Sequence, residues 1–488
     1  MADPQELELK LEFDPADRER LDTALPEIAD GETDRLVSTY FDTPAAELRA
    51  AGYSLRVRRQ GRQRTQTVKA ARGASAGLFE RSEWERRIKS DKPLLDAEAG
   101  PLAEAVGAKA LARIKPLFVT DVERATSRVD RADGAVELAI DEGEIRAGRR
   151  AERLSELELE LGGGSPQLLF DLARQLNERL PLRLGVRSKS ERGYALAAGT
   201  PRAATKAEPI LLDCDGDAGD AFRAIAQACM RHFRLNETLL LDSREVEPLH
   251  QARVALRRLR SAFSLYKPLL AEDGTAELLN AELRWLAAEL GQVRNIDVLI
   301  PRCKGEARER LKAARSRTFA QVRSELASSR TRLLMIDLTA WLAVGDWRTR
   351  PPDPQGLRRS VLPFARDLLE SRRERLKRRG KGLAGLDDAH RHKVRIEAKK
   401  LRYAAEFFGS LYAEGKARRQ HKRFLDAIEA LQDQLGELND LVVGPEVLAK
   451  AGIDAKLPQS GKQRQKRLRE MAEKACNVLM KQKCFWRT

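Results

Sequence analysis

From Gln5 to about Ala197 charged and apolar residues alternate with a period of two, in ELELKLEF from Glu6, YSLRVRR from Tyr53, VELAID from Val136 and ELELEL from Glu156. Successive side chains of a strand point to opposite faces, so each segment reads as a strand with one charged and one apolar face. A chain with several such strands must bury one face and find solvent, partners or a ligand for the other. The pattern predicts an α+β, mostly antiparallel first part. A hairpin joins Arg124–Asp130 to Ala135–Asp141 through Ala132-Asp133-Gly134, and apolar spacings of three and four predict helices at Pro15–Leu25, Pro101–Ala112 and Gln167–Leu180.

Periodicity is lost in AAGTPRAATKAEP, from Ala197 to Pro209, which reads as a linker. Beyond it the text becomes long amphipathic helices rich in Arg, Leu and Ala, interrupted at Pro351-Pro352-Asp353-Pro354. The expected division is residues 1–197, a linker at 198–214, a helical domain at 215–450 and a basic tail at 451–488. With 488 residues, more than one core is required.

Lys and Arg outnumber Asp and Glu by 90 to 74, which favours an anionic partner. Only 5% of residues are aromatic, and no nucleic-acid motif is present, so base stacking and a nucleic-acid role are disfavoured. Charge without stacking points to bare phosphate. Cys214, Cys229, Cys303, Cys476 and Cys484 form no C-x-x-C pair, which disfavours a zinc site or a disulfide framework. The N-terminus lacks the features of a secretory signal, and no apolar run is long enough for a membrane span, so a cytoplasmic protein without a membrane partner is expected.

Carboxylates and cations are segregated by strand. Glu6, Glu8, Lys10 and Glu12 share one face of the first strand; Arg56 and Arg58, then Lys69, then Arg124 and Arg128 follow on later strands, and VRSKSERGY, read with the strands, carries Lys189. Glu83 and Glu85 flank Trp84, Glu137 alternates with Asp141, and Glu156, Glu158 and Glu160 alternate on another strand. Converging inside a closed barrel, such faces would offer hard oxygen ligands to Mg²⁺ or Mn²⁺ and cations to phosphates.

Together E-x-E-x-K, R-x-R, the following Lys, E-x-E around Trp84, A-x-D-E-G at Ala139–Gly143, E-x-E-x-E and S-K-S-E-R-G-Y resemble the CYTH family of triphosphate tunnel enzymes over most of residues 5–197. The resemblance implies an eight-stranded antiparallel tunnel barrel and divalent-metal hydrolysis of triphosphates. It implies metal coordination by Glu6, Glu8, Glu158 and Glu160, with Glu156 a further candidate because three glutamates compete for two roles. Asp141 would assist the metal or position water. Lys10, Arg56, Arg58, Lys69, Arg124 and Lys189 would bind triphosphate, Lys10 also orienting or polarising the attacking water. Arg113, Lys115 and Arg128 read as solvated rim residues, and Glu83 and Glu85 fit tunnel lining and structural pairing equally. The family includes adenylate cyclases and thiamine triphosphatases; no feature demands adenine, and inorganic triphosphate is preferred.

The helical region is duplicated. His250-x-x-Arg253-x-x-x-Arg257-Arg258-x-Arg260 recurs as His392-x-x-Arg395-x-x-x-Lys399-Lys400-x-Arg402, and Leu290-Gly291 and Leu435-Gly436, which read as helix-packing points, follow some forty residues later. On a helix each set forms one basic stripe, with Leu259, Ala262 and Phe263 or Leu401, Ala405 and Phe408 on the other side. These motifs resemble the CHAD family over roughly residues 215–450. The resemblance implies two four-helix bundles that bind inorganic polyphosphate through His250, Arg253, Arg257, Arg260, His392, Arg395, Lys399 and Arg402, with association to polyphosphate granules. The expected whole is an inorganic triphosphatase with a polyphosphate-binding module; the alternative is a polyphosphate binder or sensor with an idle tunnel.

Overall fold

The computed structural model describes residues 6–26, 31–70, 76–96, 101–200, 203–349, 353–453 and 461–487. It forms two compact units, Met1–Ala203 with Ala327–Val344, and Ala204–Leu326 with Gly345–Thr488.

In the first unit the described strands are β1 (Glu6–Glu12), β2 (Glu32–Asp42), β3 (Tyr53–Gln60), β4 (Gln63–Ala70), β5 (Leu78–Arg81), β6 (Glu83–Arg87), β7 (Lys115–Arg131), β8 (Gly134–Ala147), β9 (Arg150–Gly164) and β10 (Arg183–Leu184). Their order is β10-β1-β9-β8-β7-β2-β3-β4-β6, all neighbours antiparallel. Only Ser82 separates β5 from β6, and β5 returns to pair with β1. That return closes the sheet, with β5 and β6 acting as one wall of an eight-walled antiparallel barrel.

The apolar faces turn outward and are covered by helix. Leu9, Leu11, Leu138, Ile140, Leu157 and Leu159 are buried, as are Leu169, Phe170, Ala173 and Leu176 of helix α1 (Gln167–Arg179), which packs on β8 and β9. Each such side chain contributes about 1.5–3 kcal/mol by leaving water. With one face satisfied outside, the charged face is forced into the interior.

Helix α2 (Lys189–Ala197) stops one end of that interior. Its Tyr194 and Leu196 pack with Leu36, Tyr40, Phe118, Val122, Ile145 and Leu154, on the strand face that also carries Arg124. This corrects the strand reading of VRSKSERGY: Ser188 and Glu191 form a capping box, in which each side chain satisfies the other's main-chain N–H, and Lys189 opens a helix. The expected helix at Pro101–Ala112 is likewise two short ones, Leu102–Val106 and Ala108–Leu111, divided where Gly107 takes a positive φ.

The second unit is helical. Its long described helices are α3 (Ala218–Asp242), α4 (Val246–Tyr266), α5 (Gly274–Leu299) and α6 (Gly305–Ala327), then α8 (Val361–Arg379), α9 (Asp388–Phe407), α10 (Gly415–Lys450) and α11 (Lys462–Lys481). Equivalent helices of the two repeats meet, α3 with α8, α4 with α9 and α5 with α10, so the duplicated motifs face one another. Leu259, Ala262, Phe263, Leu401, Ala405 and Phe408 are buried as the stripes require. The basic tail ends in a true helix, α11, packed on α10. Between the repeats lies α7 (Ser329–Val344), which belongs to the first unit and packs on α1 and β10. No helix among the described residues is long and apolar enough to cross a membrane.

A Cβ at Gly193 would sit 2.0 Å from the Phe118 ring. Gly193→Ala is therefore expected to lift α2 from its seat and lower stability by about 1–3 kcal/mol, read from urea unfolding.

Candidate functional site

Strand register builds the interior in rows. Glu8 of β1 pairs with Glu160 of β9, Glu160 with Glu137 of β8, and Glu137 with Arg128 of β7. The next row reads Lys10, Glu158, Ala139, Thr126, and the third Glu12, Glu156, Asp141, Arg124. On the opposite wall Tyr40, Arg56, Thr67 and Glu85 align, as do Ser54, Lys69 and Glu83. Glu8, Lys10, Arg56, Arg58, Lys69, Arg124, Glu158, Glu160 and Lys189 all line one cavity of about 1200 Å³.

The deep end is a lattice of ion pairs. Lys10 Nζ lies 3.0 Å from Glu156, 2.5 Å from Glu158 and 3.5 Å from Glu8. Lys189 Nζ lies 2.7 Å from Asp141, 2.9 Å from Glu156 and 2.6 Å from Glu158. Arg124 grips both oxygens of Asp141, at 2.7 and 2.6 Å, and reaches Glu158 at 2.5 Å. Burial alone would lower the Lys10 ammonium, but Glu156, Glu158 and Glu8 outweigh it and hold it well above the usual lysine value. Burial would raise the Glu158 carboxyl, yet Lys10, Lys189 and Arg124 hold it well below its ordinary value. Asp141 and Glu156 are lowered by the same balance.

Asp141 and Glu156 have no exposed surface, and neither lines the cavity. Glu156 also accepts from Arg192, at 3.2 Å, a cation missed in the sequence reading. These two acids sit behind the cations as counter-charge. Glu8, Glu158 and Glu160 face the cavity; they are hard oxygen donors of the kind Mg²⁺ or Mn²⁺ takes. Among the described residues no three acidic, His or Cys side chains are gathered at ligating distance, and Glu158 is drawn onto Lys10, Lys189 and Arg124. The side chain of Glu6 lies outside the described residues.

The other wall is more lightly neutralised. Lys69 meets Glu83 at 2.5 Å and Arg56 meets it at 3.7 Å, while Glu85 accepts from Thr67 at 2.7 Å. Glu83 and Glu85 thus both line the cavity and pair. Arg58 has no ion pair among the described residues, and its Nε has no hydrogen-bond partner. Neighbouring Arg56, burial and Arg124 push it down to about 10. Tyr40, buried against Phe118, is lowered because Arg56, Lys189 and Arg58 outweigh burial; it too was missed. Arg113 is exposed and paired with Glu47, Lys115 is exposed, and Arg128 stands half-exposed at the cavity rim.

In the helical unit Arg253, Arg257, Arg395 and Lys399 come together from α4 and α9. Burial and then Arg257, Arg294 and Arg395 push Arg253 down to about 10; burial and then Arg395, Arg257 and Arg253 push Lys399 down to about 6. Arg257 donates to Tyr403 Oη at 2.5 Å. Arg253 donates to Ala287 O at 3.1 Å, its guanidinium lying where a Cβ on Gly291 would be. Arg257, Arg260, Lys399 and Lys400 line a cavity of about 690 Å³, joined by Arg284 and Lys267, which no motif had marked. His250 is lowered by burial and by Arg294. His392 is exposed and with Arg395 lines a separate cavity of about 260 Å³.

Arg402 departs from the expected stripe. Glu406, one turn on, accepts from it at 2.8 Å, and Glu429 lies 3.3 Å away, so its charge is already answered. Glu397, the acid within the second motif, is buried and pairs with Arg379 at 2.9 Å and Arg372 at 3.8 Å instead of interrupting the stripe.

Comparison with known proteins places these features in two families. The CYTH domain model matches residues 4–194 and the CHAD domain model residues 224–449. An inorganic triphosphatase from Haemophilus influenzae is 30% identical over 205 residues, 40% of this chain and 55% of the relative. The chain thus spans about half the length of that curated relative. Among solved structures, a CHAD domain from Ricinus communis is 31% identical, covering 56% of this chain and 90% of that one with a TM-score of 0.44. A Hippeastrum protein described as an adenylyl cyclase with a dominant triphosphatase activity is 20% identical, covering 40% of this chain and 96% of that one with a TM-score of 0.33.

Removing Glu156 leaves Lys10, Lys189 and Arg192 short of counter-charge. Glu156→Gln is expected to lower stability by about 3–5 kcal/mol in urea unfolding, whereas Glu8→Gln, at the cavity, should change it by under about 1 kcal/mol.

Proposed function

We propose that this chain, which belongs to the CYTH family over residues 4–194 and to the CHAD family over residues 224–449, is a metal-dependent inorganic triphosphatase that also binds inorganic polyphosphate. The observation that carries the reading is one cavity lined by the cations Arg56, Arg58, Lys69, Arg124 and Lys189 together with the acids Glu8, Glu158 and Glu160, Glu158 being held by Arg124 and Lys189. Guanidinium forks match phosphate oxygens in pairs, and the ammonium groups add point charge, so a short phosphate chain suits that wall.

Glu8, Glu158 and Glu160, with Glu6, are the residues assigned to hold Mg²⁺ or Mn²⁺, which when bound supplies charge neutralisation at the phosphoryl group and at the attacking water. Arg58, which has no ion pair among the described residues, takes phosphate without breaking one there. Lys10, Lys189 and Arg124 exchange Glu158 for phosphate oxygens, which frees that carboxylate. Lys10, held charged by Glu156, orients the water and stabilises the departing charge. Asp141 and Glu156 do not touch substrate in this reading; they keep Arg124, Lys189 and Lys10 charged and in place.

Phosphate release from tripolyphosphate, ATP and thiamine triphosphate with Mg²⁺ tests this choice. The highest kcat/KM is expected on tripolyphosphate, with Lys10→Ala and Glu8→Gln each lowering kcat by about a hundredfold or more. Preference for ATP or thiamine triphosphate would move the substrate, and full activity in both variants would remove the tunnel from the chemistry.

Polyphosphate is assigned to Arg253, Arg257, Arg260, Arg395 and Lys399, with His250 and His392 at the ends of the stripes. Arg402 is left out because Glu406 and Glu429 already hold it. Lys399, with a free value of about 6, is neutral at pH 7 and regains its proton when a polyanion offsets the neighbouring arginines. Proton uptake on binding means affinity must rise as pH falls. Calorimetric titration with inorganic polyphosphate should show tightening by up to about tenfold per unit from pH 9 to pH 6, and a much shallower profile from pH 9 to pH 7 in Lys399→Met. A flat profile in the wild type would contradict the assignment.

A further inference from the structure

Lys10 is held by its main chain as well as by its ammonium group. Its N–H donates to Gly77 O at 2.9 Å, and its carbonyl accepts from Gly185 N at 2.9 Å. Both partners are glycines for steric reasons. A Cβ at Gly185 would lie 2.7 Å from Lys10 Cγ, and one at Gly77, where φ is +99°, would lie 2.9 Å from Leu184 Cδ2. The position of Lys10 in the cavity therefore depends on where the Gly77 turn and the segment from Leu182 to Gly185 are held.

Both are held by α7. Thr339 Oγ1, buried, lies 3.2 Å from the carbonyl of Ala76, next to Gly77, and shares its hydrogen with Met335 O at 2.9 Å. Arg332 Nε donates to Asn177 Oδ1 at 2.8 Å, and Asn177 Nδ2 donates to Leu182 O at 2.6 Å. Asn177 is buried, so little besides Arg332 can orient its amide. Arg174 of α1 meets Asp337 of α7 at 2.8 Å and fixes the helix pair. Leu334, Met335, Ile336, Leu338, Trp341 and Leu342 are buried along α7, so the helix is rigidly seated.

We propose that α7, encoded between the two helical repeats and outside the residues matched by the CYTH model, is a positioning element of the tunnel: through Thr339–Ala76 and Arg332–Asn177–Leu182 it sets the two glycine contacts that place Lys10. The kinetic part of this inference rests on the triphosphatase reading; the structural part does not. Thr339 bonds to Ala76 and Met335 and Arg332 to Asn177 and Ala327, none of which lines the cavity, so the route from these bonds to the cavity runs through the Lys10 main chain.

The test uses the full chain with Thr339→Val, which keeps shape and loses the hydroxyl, and Arg332→Ala, each beside its conservative partner, Thr339→Ser and Arg332→Lys. Hydrogen–deuterium exchange is followed in peptides covering residues 6–13 and 180–188, with residues 36–41 and 55–60 as controls. Thr339→Val and Arg332→Ala are expected to speed exchange at the Lys10 and Gly185 amides while the controls stay as in the wild type, and the conservative variants to restore protection. With tripolyphosphate, kcat should fall by about ten- to a hundredfold at nearly constant KM. Unchanged exchange at both amides, or equal acceleration in the controls, would overturn the proposal. Faster exchange in a wild-type background that releases no phosphate would leave α7 as the positioning element and defeat the triphosphatase reading instead.

Discussion

Glu156 is buried without exposed surface and lies within 3.2 Å of Lys10, Lys189 and Arg192. An isolated carboxylate there would lose several kcal/mol of hydration and take up a proton; three cations reverse that preference. The same acid permits two lysines to stay charged in a closed barrel. Everything at the deep end follows from this reciprocity: Asp141 does for Arg124 and Lys189 what Glu156 does for Lys10, and Glu158 joins both sets at the cavity surface. Only Glu158 among the three lines the cavity, so a polyanion can displace it while Asp141 and Glu156 keep the cations in register. In the proposed reaction the resting ion pairs are therefore a rehearsal of the bound state, with carboxylate oxygens where phosphate oxygens will stand.

The second unit treats charge in the opposite way. Among the described residues Arg253, Arg257, Arg395 and Lys399 converge with Asp440 offsetting Arg395 and Lys399 only in part, and their mutual repulsion adds to burial in lowering Arg253, Arg395 and Lys399. Such a cluster persists because the helices are fixed by other means. Phe222 packs against Phe263, Tyr266 and Trp347, and Tyr266 against Phe364, which in turn meets Phe408, so aromatic side chains from both repeats interlock beneath the stripes. Arg258 is tied to Glu406 at 2.6 Å. A rigid scaffold carrying mutually repelling cations stores a preference for polyanions that a solvated helix surface would not have.

Much of this was legible in the sequence because it is periodic. Alternation fixed the faces of β1, β7, β8 and β9, and combination of motifs fixed the barrel and the helical duplication. What escaped is non-local or one-turn chemistry. Lys189 reads with the strands although Ser188 and Glu191 have capping-box spacing, a signal of a helix start that the sequence carries. Arg402 reads as part of the basic stripe although Glu406 stands four residues on, where an ion pair on one helix face is expected. Arg192 as a partner of Glu156 needed the seat of α2 on the barrel, while the burial of Asp141 behind Arg124 and the lack of an ion pair at Arg58 among the described residues needed strand register, which no single strand reports. The same holds for α7: its text predicts a helix, but nothing local says that it packs on α1 instead of beside its sequence neighbours.

The proposed chemistry requires a polyanion site in the barrel, and Arg58, with no ion pair among the described residues, is the cation there most open to phosphate. The most direct measurement is kcat/KM for Mg²⁺-tripolyphosphate in Arg58→Ala against the wild type. Loss of a charged contact of roughly 1.5–3 kcal/mol predicts a fall of roughly ten- to a hundredfold with folding intact. An Arg58→Ala enzyme that folds normally and keeps the wild-type kcat/KM would contradict it.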